Sequence, residues 1–223
     1  MKGIFVSFEG IEGTGKSTQA RLLSEYLTGK GLRVIKTEEP GGTRISLKIR
    51  EILLSLDSRG MDHVTELLLY NASRSQHIKE VIMPALERGD VVITDRFSDS
   101  TVAYQGYGRD IDLKLIDSLD KISTGGLKPD ITILLDIDVE TGLRRNKEIN
   151  KNDRLEQEDI VFHQKVRSGF IKIAEREPER VKMIDCFDGI DAVHKKVVDM
   201  VKGFLDKRIS CKKTDRNAEN SLQ

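Results

Sequence analysis

The sequence predicts an α/β fold, a five-stranded parallel sheet flanked by helices on both faces, with a short lid. Apolar, β-branched runs recur at Ile4 to Phe8, Val34 to Ile35, Val91 to Thr94, Ile131 to Ile137 and Val181 to Ile184, and helical patterns separate them. That alternation is how parallel strands joined by crossovers read. The first run leads directly into Gly10-Ile11-Glu12-Gly13-Thr14-Gly15-Lys16-Ser17, which fits G-x-x-x-x-G-K-[ST], and then into Ala20, Leu22, Leu23, Tyr26 and Leu27 at helical spacing. Strand, glycine loop and helix therefore follow one another in the order that makes the motif meaningful.

Composition narrows the rest. A chain of 223 residues reads as one domain, and at that size it can bury about 70% of its unfolded surface without staples. Residues 1–206 are expected to form the domain and the polar, aperiodic residues 207–223 a disordered tail. Lys plus Arg and Asp plus Glu balance at 37 each, so no overall field draws the chain to nucleic acid or an anionic membrane. Cys186 and Cys211 match no metal spacing, and no apolar run approaches the length of about 20 residues that spans a bilayer. The expectation is a soluble, cytoplasmic protein with free thiols.

The glycine loop has the residue types a polyphosphate requires. Backbone N–H groups from Gly10 to Thr18 can wrap the anion where no Cβ holds the chain away. Lys16 reaches the β- and γ-phosphates as a point charge, and the Ser17 hydroxyl can ligate Mg2+. The signal points to a nucleoside triphosphate and is silent about any acceptor.

Ligands of such sheets bind at the carboxyl ends of the strands, so the residues after each strand matter most. The second strand is followed by Glu38-Glu39-Pro40-Gly41-Gly42-Thr43, a turn, and by a helix from Arg44 to Leu56 carrying Arg50. A long helical pattern from Asp62 to Arg88 is expected to kink or divide at Pro84, and it places Tyr70 and Arg74 on one face. After the third strand, Asp95 is placed to hold Mg2+ and Arg96 to hold phosphate, with Ser100, Thr101 and Gln105 forming a polar run able to read a base edge. After the fourth strand, Arg144, Arg145, Lys147, Lys151 and Arg154 lie in glycine-containing polar chain that reads as a lid over about 142–155. A helix from Leu155 to Ala174, the last strand and a closing helix from Ile190 to Leu205 complete the order.

With these pieces in sequence the chain resembles the thymidylate kinases, P-loop nucleoside monophosphate kinases, and the bacterial branch in particular. The matching stretches are Phe8-Glu9-Gly10-Ile11-Glu12-Gly13, Glu39-Pro40-Gly41-Gly42-Thr43 with Arg50, Tyr70 with Arg74, Asp95-Arg96-Phe97, Ala103-Tyr104-Gln105-Gly106 and Asp153-Arg154-Leu155-Glu156. The resemblance implies transfer of the ATP γ-phosphoryl to thymidine monophosphate (dTMP), giving the diphosphate for dTTP synthesis. It implies that Tyr70 stacks on thymine and that Arg74 donates to its O4. Ser100, Thr101 and Gln105 would line the rest of the base, Tyr104 would crowd the sugar, and Glu12 would engage the deoxyribose side. Glu39 and Pro40 would belong to the same pocket, with the bond at Pro40 cis. Arg50 and Arg96 would clamp the acceptor phosphate, while Lys16, Asp95, Arg145 and Arg154 would complete the catalytic set. It implies a homodimer as well, through the apolar faces of helices beside the base pocket. The lid cations depart from the alternate spacing of bacterial relatives, with Arg145 and Arg154 ranked ahead of Lys147 and Lys151.

Two other readings fit parts of the chain. Asn150-Lys151-Asn152-Asp153 spells N-K-x-D and Asp57-Ser58-Arg59-Gly60 spells D-x-x-G, as in GTPases, yet neither follows a strand directly. A nucleoside acceptor would call for a carboxylate base, for which Glu39 is placed.

Overall fold

The computed structural model describes the backbone of residues 3–148 and 153–220, with side-chain surroundings for residues 3–146 and 153–205. Among these residues five strands form one sheet, β1 Ile4–Glu9, β2 Val34–Glu38, β3 Val91–Asp95, β4 Ile131–Asp136 and β5 Val181–Asp185, in the order β2-β3-β1-β4-β5. Every pairing is parallel, and the register sets Phe8 against Asp95, so the glycine loop and the turn after β3 leave the sheet side by side.

The pleat divides the core by alternation. Val6, Phe8, Ile93, Ile133 and Leu135 face one side, where they meet Leu23 and Leu27 of α1 (Lys16–Gly29) and Val193, Val197 and Val201 of α9 (Ile190–Asn220). Phe5 and Val92 face the other side against Ile82 and Leu86, and Leu134 packs there against Tyr104, Phe162, Val166 and Phe170. Both faces are covered, which is why these strands are apolar almost throughout.

Helix α2 (Arg44–Leu54) is capped by Thr43, whose Oγ1 accepts from Ser46 N, and α3 (His63–His77) by Asp62, which accepts from the Val64 and Thr65 amides. The long pattern expected to kink at Pro84 widens into a π-helical turn, Ile78–Ile82, before α4 (Met83–Glu87). A proline ring clashes with the carbonyl four residues back, and the wider turn immediately precedes it. After β3, α5 (Ser98–Thr101) passes into a second π-helical segment, Val102–Gly108, followed by α6 (Leu113–Thr124). The polar run read as a base-reading loop is therefore helical.

Helix α7 (Val139–Glu148) carries the first lid cations, α8 (Ile160–Arg176) is capped by Asp159, and residues 149–152, with Lys151 and most of N-K-x-D, lie outside the described residues. Asp57 sits in a single 3-10 turn, Leu56–Ser58, beyond α2. The closing helix, expected to stop at Leu205, continues to Asn220. No glycine or proline follows Gly203 within it to interrupt the helix.

Candidate active site

Gly15 is the N-cap of α1, in a left-handed conformation (φ 87°) and with no side-chain cap, so the first amides of the helix are left to the space in front of the loop. Uncapped amides at the positive end of a helix form an anion site. A Cβ at Gly15 would meet nothing within 4 Å, so that side of the loop is open. The other two glycines do a different job. A Cβ at Gly10 would stand 2.2 Å from the Leu135 carbonyl of β4, and one at Gly13 would stand 2.0 Å from the Gly142 carbonyl of α7. They allow the loop to press on protein backbone, and Gly10 and Ile11 lie behind the cleft; Ile11 joins the core.

A cleft of about 840 Å³ opens at the carboxyl ends of β1 and β3, lined at one end by Gly13 to Thr18 and at the other by Glu39, Pro40, Arg50, Tyr70, Arg74, Arg96, Ser100, Thr101, Tyr104 and Gln105. Glu12 and Asp95 stand between the ends and Arg145 lines it from α7. The three arginines expected to converge, Arg50, Arg74 and Arg96, do share this space.

Arg96 adopts φ 73°, a left-handed conformation uncommon for a side chain with a Cβ and a pointer to function. Glu9 fixes the turn: its carboxyl, fully buried, accepts from the Phe97 amide at 2.7 Å and the Ser100 hydroxyl at 2.6 Å. Burial, then the nearby Asp99, raises the Glu9 carboxyl to about 7. Arg96 donates to the Gly10 carbonyl (3.0 Å), Ser100 Oγ (3.1 Å), Glu12 Oε1 (2.9 Å) and Tyr104 OH (3.1 Å). Tyr104 donates to the same Glu12 oxygen. Burial opposes ionisation of Glu12, but His163, Arg96, Lys16 and Tyr104 outweigh it and hold the carboxyl well below the usual range.

Lys16 Nζ donates to the Ile11 carbonyl at 2.7 Å, and burial with the neighbouring Arg96 pushes its ammonium down to about 8, against the pull of Asp95, Glu12 and Glu9. Ser17 Oγ donates to Asp95 Oδ2 at 2.5 Å. Two oxygen donors meeting at one point beside the glycine loop suit Mg2+, and among the described residues no group of three or more His, Cys, Asp or Glu could hold a metal alone. A cation that takes its remaining ligands from phosphate and water fits such a site.

Several expectations change. Arg154 does not reach the cleft: it donates to the Leu53 carbonyl and, at 2.5 Å, to Glu66 Oε2, where burial removes both partners from solvent. Arg145 stays at the cleft, donating to the Cys186 carbonyl at 3.2 Å, while the side chain of Lys147 lies outside the described residues. Arg74 lines the base end, but its donors are taken by Glu39 Oε2 (2.8 Å), the Phe97 carbonyl and Thr101 Oγ1. Its remaining Nη1 lies 3.8 Å from Asp120. Glu39 is not free to act as a base, because His77 Nδ1 stands 3.0 Å from its other oxygen. Arg50 donates to the Pro40 carbonyl at 2.7 Å across a Glu39–Pro40 bond that is cis, as expected. Gln105 donates to Glu66 Oε1 at 2.8 Å. Glu9, Asp153 and Glu156 fall inside the matching stretches but carry no expected role there, and the buried Glu66 and the cleft-lining Asn146 stand outside them; for Glu9 the residues themselves add one sign, an acid inside an apolar stretch.

A triphosphate loop facing a second, arginine-lined pocket across one cleft defines the P-loop nucleotide kinases. The family model for thymidylate kinase matches residues 8–197. The chain is 50% identical over 200 residues to the thymidylate kinase of Sulfurihydrogenibium sp. (strain YO3AOP1), covering 90% of this chain and 97% of that one. It is 45% identical over 212 residues to that of Geobacter sulfurreducens, covering 92% and 100%. The crystal structure of thymidylate kinase from Ehrlichia chaffeensis superposes with a TM-score of 0.76 at 36% identity, over 90% of this chain and 100% of that one. The chain belongs to the thymidylate kinase family.

Two outcomes follow from the charges. On the reading of Lys16 as the cation that meets the ATP phosphates, affinity is full well below pH 8 and falls as pH rises through it, by about tenfold at pH 9. Calorimetry in buffers of different ionisation enthalpy reads this as proton uptake on binding at pH 8.5. Arg154→Ala leaves Glu66 short of a buried partner and lowers stability by about 3 kcal/mol in urea denaturation.

Proposed function

We propose that the chain transfers the γ-phosphoryl group of ATP to thymidine 5'-monophosphate, giving thymidine 5'-diphosphate for dTTP synthesis. The observation that carries this reading is the single cleft with a helix N-terminus and Lys16 at one end and Tyr70, Arg74, Arg96 and Gln105 at the other. A site that grips two anionic nucleotides needs cations from separate segments to meet at its middle.

The attacking atom is an oxygen of the acceptor phosphate, whose second pKa lies near 6, so it is mostly ionised at pH 7 and needs no general base. The obstacle is charge. Two like unit charges about 4 Å apart cost about 4 kcal/mol at an effective dielectric of 20, and several such pairs form as acceptor meets donor. Neutralisation and alignment are therefore the catalysis. Lys16 and the α1 amides hold the donor phosphates. Arg96, with partly exposed Arg50, holds the acceptor phosphate, and Arg145 attends the transferred group. Ser17 and Asp95 would hold Mg2+, which would supply positive charge against the donor phosphates. Tyr70 stacks on the base, Tyr104 crowds the sugar, and residues 142–155 act as the lid.

Ile45, Leu47 and Ile52 of α2, Val64 and Leu68 of α3 and Leu115 and Ile122 of α6 are exposed, and the three helices pack side by side. That apolar layer supports a homodimer. Balanced charge and the absence, among the described residues, of a helix able to cross a membrane support a cytoplasmic enzyme with ATP and dTMP as its partners.

A coupled assay of ATP consumption across a panel of nucleoside monophosphates and nucleosides tests the assignment: thymidine monophosphate stands clear of the rest, and comparable turnover with a purine monophosphate or a nucleoside overturns it. Arg96→Ala lowers turnover by about 10³-fold while ATP affinity changes far less. Equal loss of both removes Arg96 from the acceptor site.

A further inference from the structure

His163 of α8 is buried at 1% exposure, yet among the described residues neither ring nitrogen has a hydrogen-bond partner. The group it faces is unmatched too: Glu12 Oε2 is buried with no hydrogen-bond partner among the described residues, and His163 Nδ1 stands 3.6 Å from it. Buried polar atoms are rarely left bare, because desolvation goes uncompensated. Two of them facing each other, a few tenths of an ångström beyond bonding distance, describe a hydrogen bond about to be made.

The packing around His163 is tight enough to aim it. A Cβ at Gly169 of α8 would stand 2.7 Å from the Tyr107 ring, and one at Gly108 would stand 2.7 Å from Phe162. The missing side chains let α8 lie close against the Val102–Gly108 segment, and the Phe162 ring packs edge-on to both His163 (5.5 Å) and Tyr104 (6.2 Å). A leucine or phenylalanine would fill this place without stranding two nitrogens.

The geometry points to His163 as the positioning residue for Glu12, its Nδ1–H donating to Glu12 Oε2 so that Oε1 stays on Arg96 and Tyr104 at the acceptor end of the cleft. With that donor absent, the bare oxygen has Lys16 as the alternative cation, and turning toward it withdraws Glu12 from Arg96. His163 touches no substrate and acts through the carboxylate. The inference rests on the reading of Glu12 and Arg96 as acceptor-side residues.

The test is steady-state kinetics of the full chain with dTMP and ATP, together with thermal melting, for His163→Phe, His163→Asn and Glu12→Gln and for His163→Phe combined with Glu12→Gln. Phenylalanine keeps the ring and removes the donor; asparagine returns an N–H near the Nδ1 position. His163→Phe raises KM for dTMP about tenfold, the scale of a lost hydrogen bond to a charged group, with KM for ATP within about twofold. His163→Asn recovers most of it, and in the Glu12→Gln background the phenylalanine change adds nothing. If His163→Phe melts early, His163→Leu serves as the donor-free variant in the same comparison. An unchanged dTMP KM in the donor-free variant, no recovery with asparagine, or an undiminished effect in the Glu12→Gln background overturns the proposal. A silent Glu12→Gln variant sinks the acceptor-side reading and the inference with it, whereas a damaging Glu12→Gln beside a silent His163→Phe sinks His163 alone.

Discussion

The ion pair between Arg96 and Glu12 is the contact on which the site depends, because it ties the turn after β3 to the glycine loop after β1. Those strands are neighbours in the sheet, so their carboxyl ends set Arg96 and the glycine loop side by side within one cleft. Arg96 takes that direction from a left-handed backbone conformation, uncommon for a residue with a Cβ. Its left-handed conformation persists because Glu9, at the end of β1, accepts from the next amide and from Ser100.

Acids placed to hold cations recur through the structure. Glu39 holds Arg74, Glu66 gathers Gln105, Arg109 and Arg154, and Glu12 holds Arg96. A net charge of zero is consistent with this arrangement. Each buried guanidinium has a carboxylate partner, so its desolvation is offset locally and its direction is set before any substrate arrives. The electrostatic work asked of the cleft is large, and groups already oriented need little reorganisation to perform it.

Glycines set the distances over which these charges act. Gly10 brings the loop onto β4, Gly13 and Gly142 bring α7 and its Arg145 onto the loop, and Gly108 and Gly169 bring α8 against the segment bearing Tyr104. At the last of these, a single methyl group would push apart the helix that carries His163 and the residues that line the acceptor end.

Local pattern determined a great deal. Continuous apolar, β-branched runs and the glycine loop yielded the five strands, the parallel sheet and the family, because strand composition and loop chemistry are written in neighbouring residues. The kink near Pro84 was equally legible, since proline's missing N–H acts on its own turn. Which way a charged side chain points was not. Arg145 and Arg154 belong to one basic stretch and read alike, but Arg154 turns inward because Glu66, 88 residues earlier in the chain, is waiting there, while Arg145 meets the Cys186 carbonyl at the cleft. Glu39 looked free to serve as a base until His77 and Arg74 occupied both its oxygens. The tertiary structure decided these matters because the direction of a long ionic side chain follows its partner, and the partners arrive from distant parts of the chain.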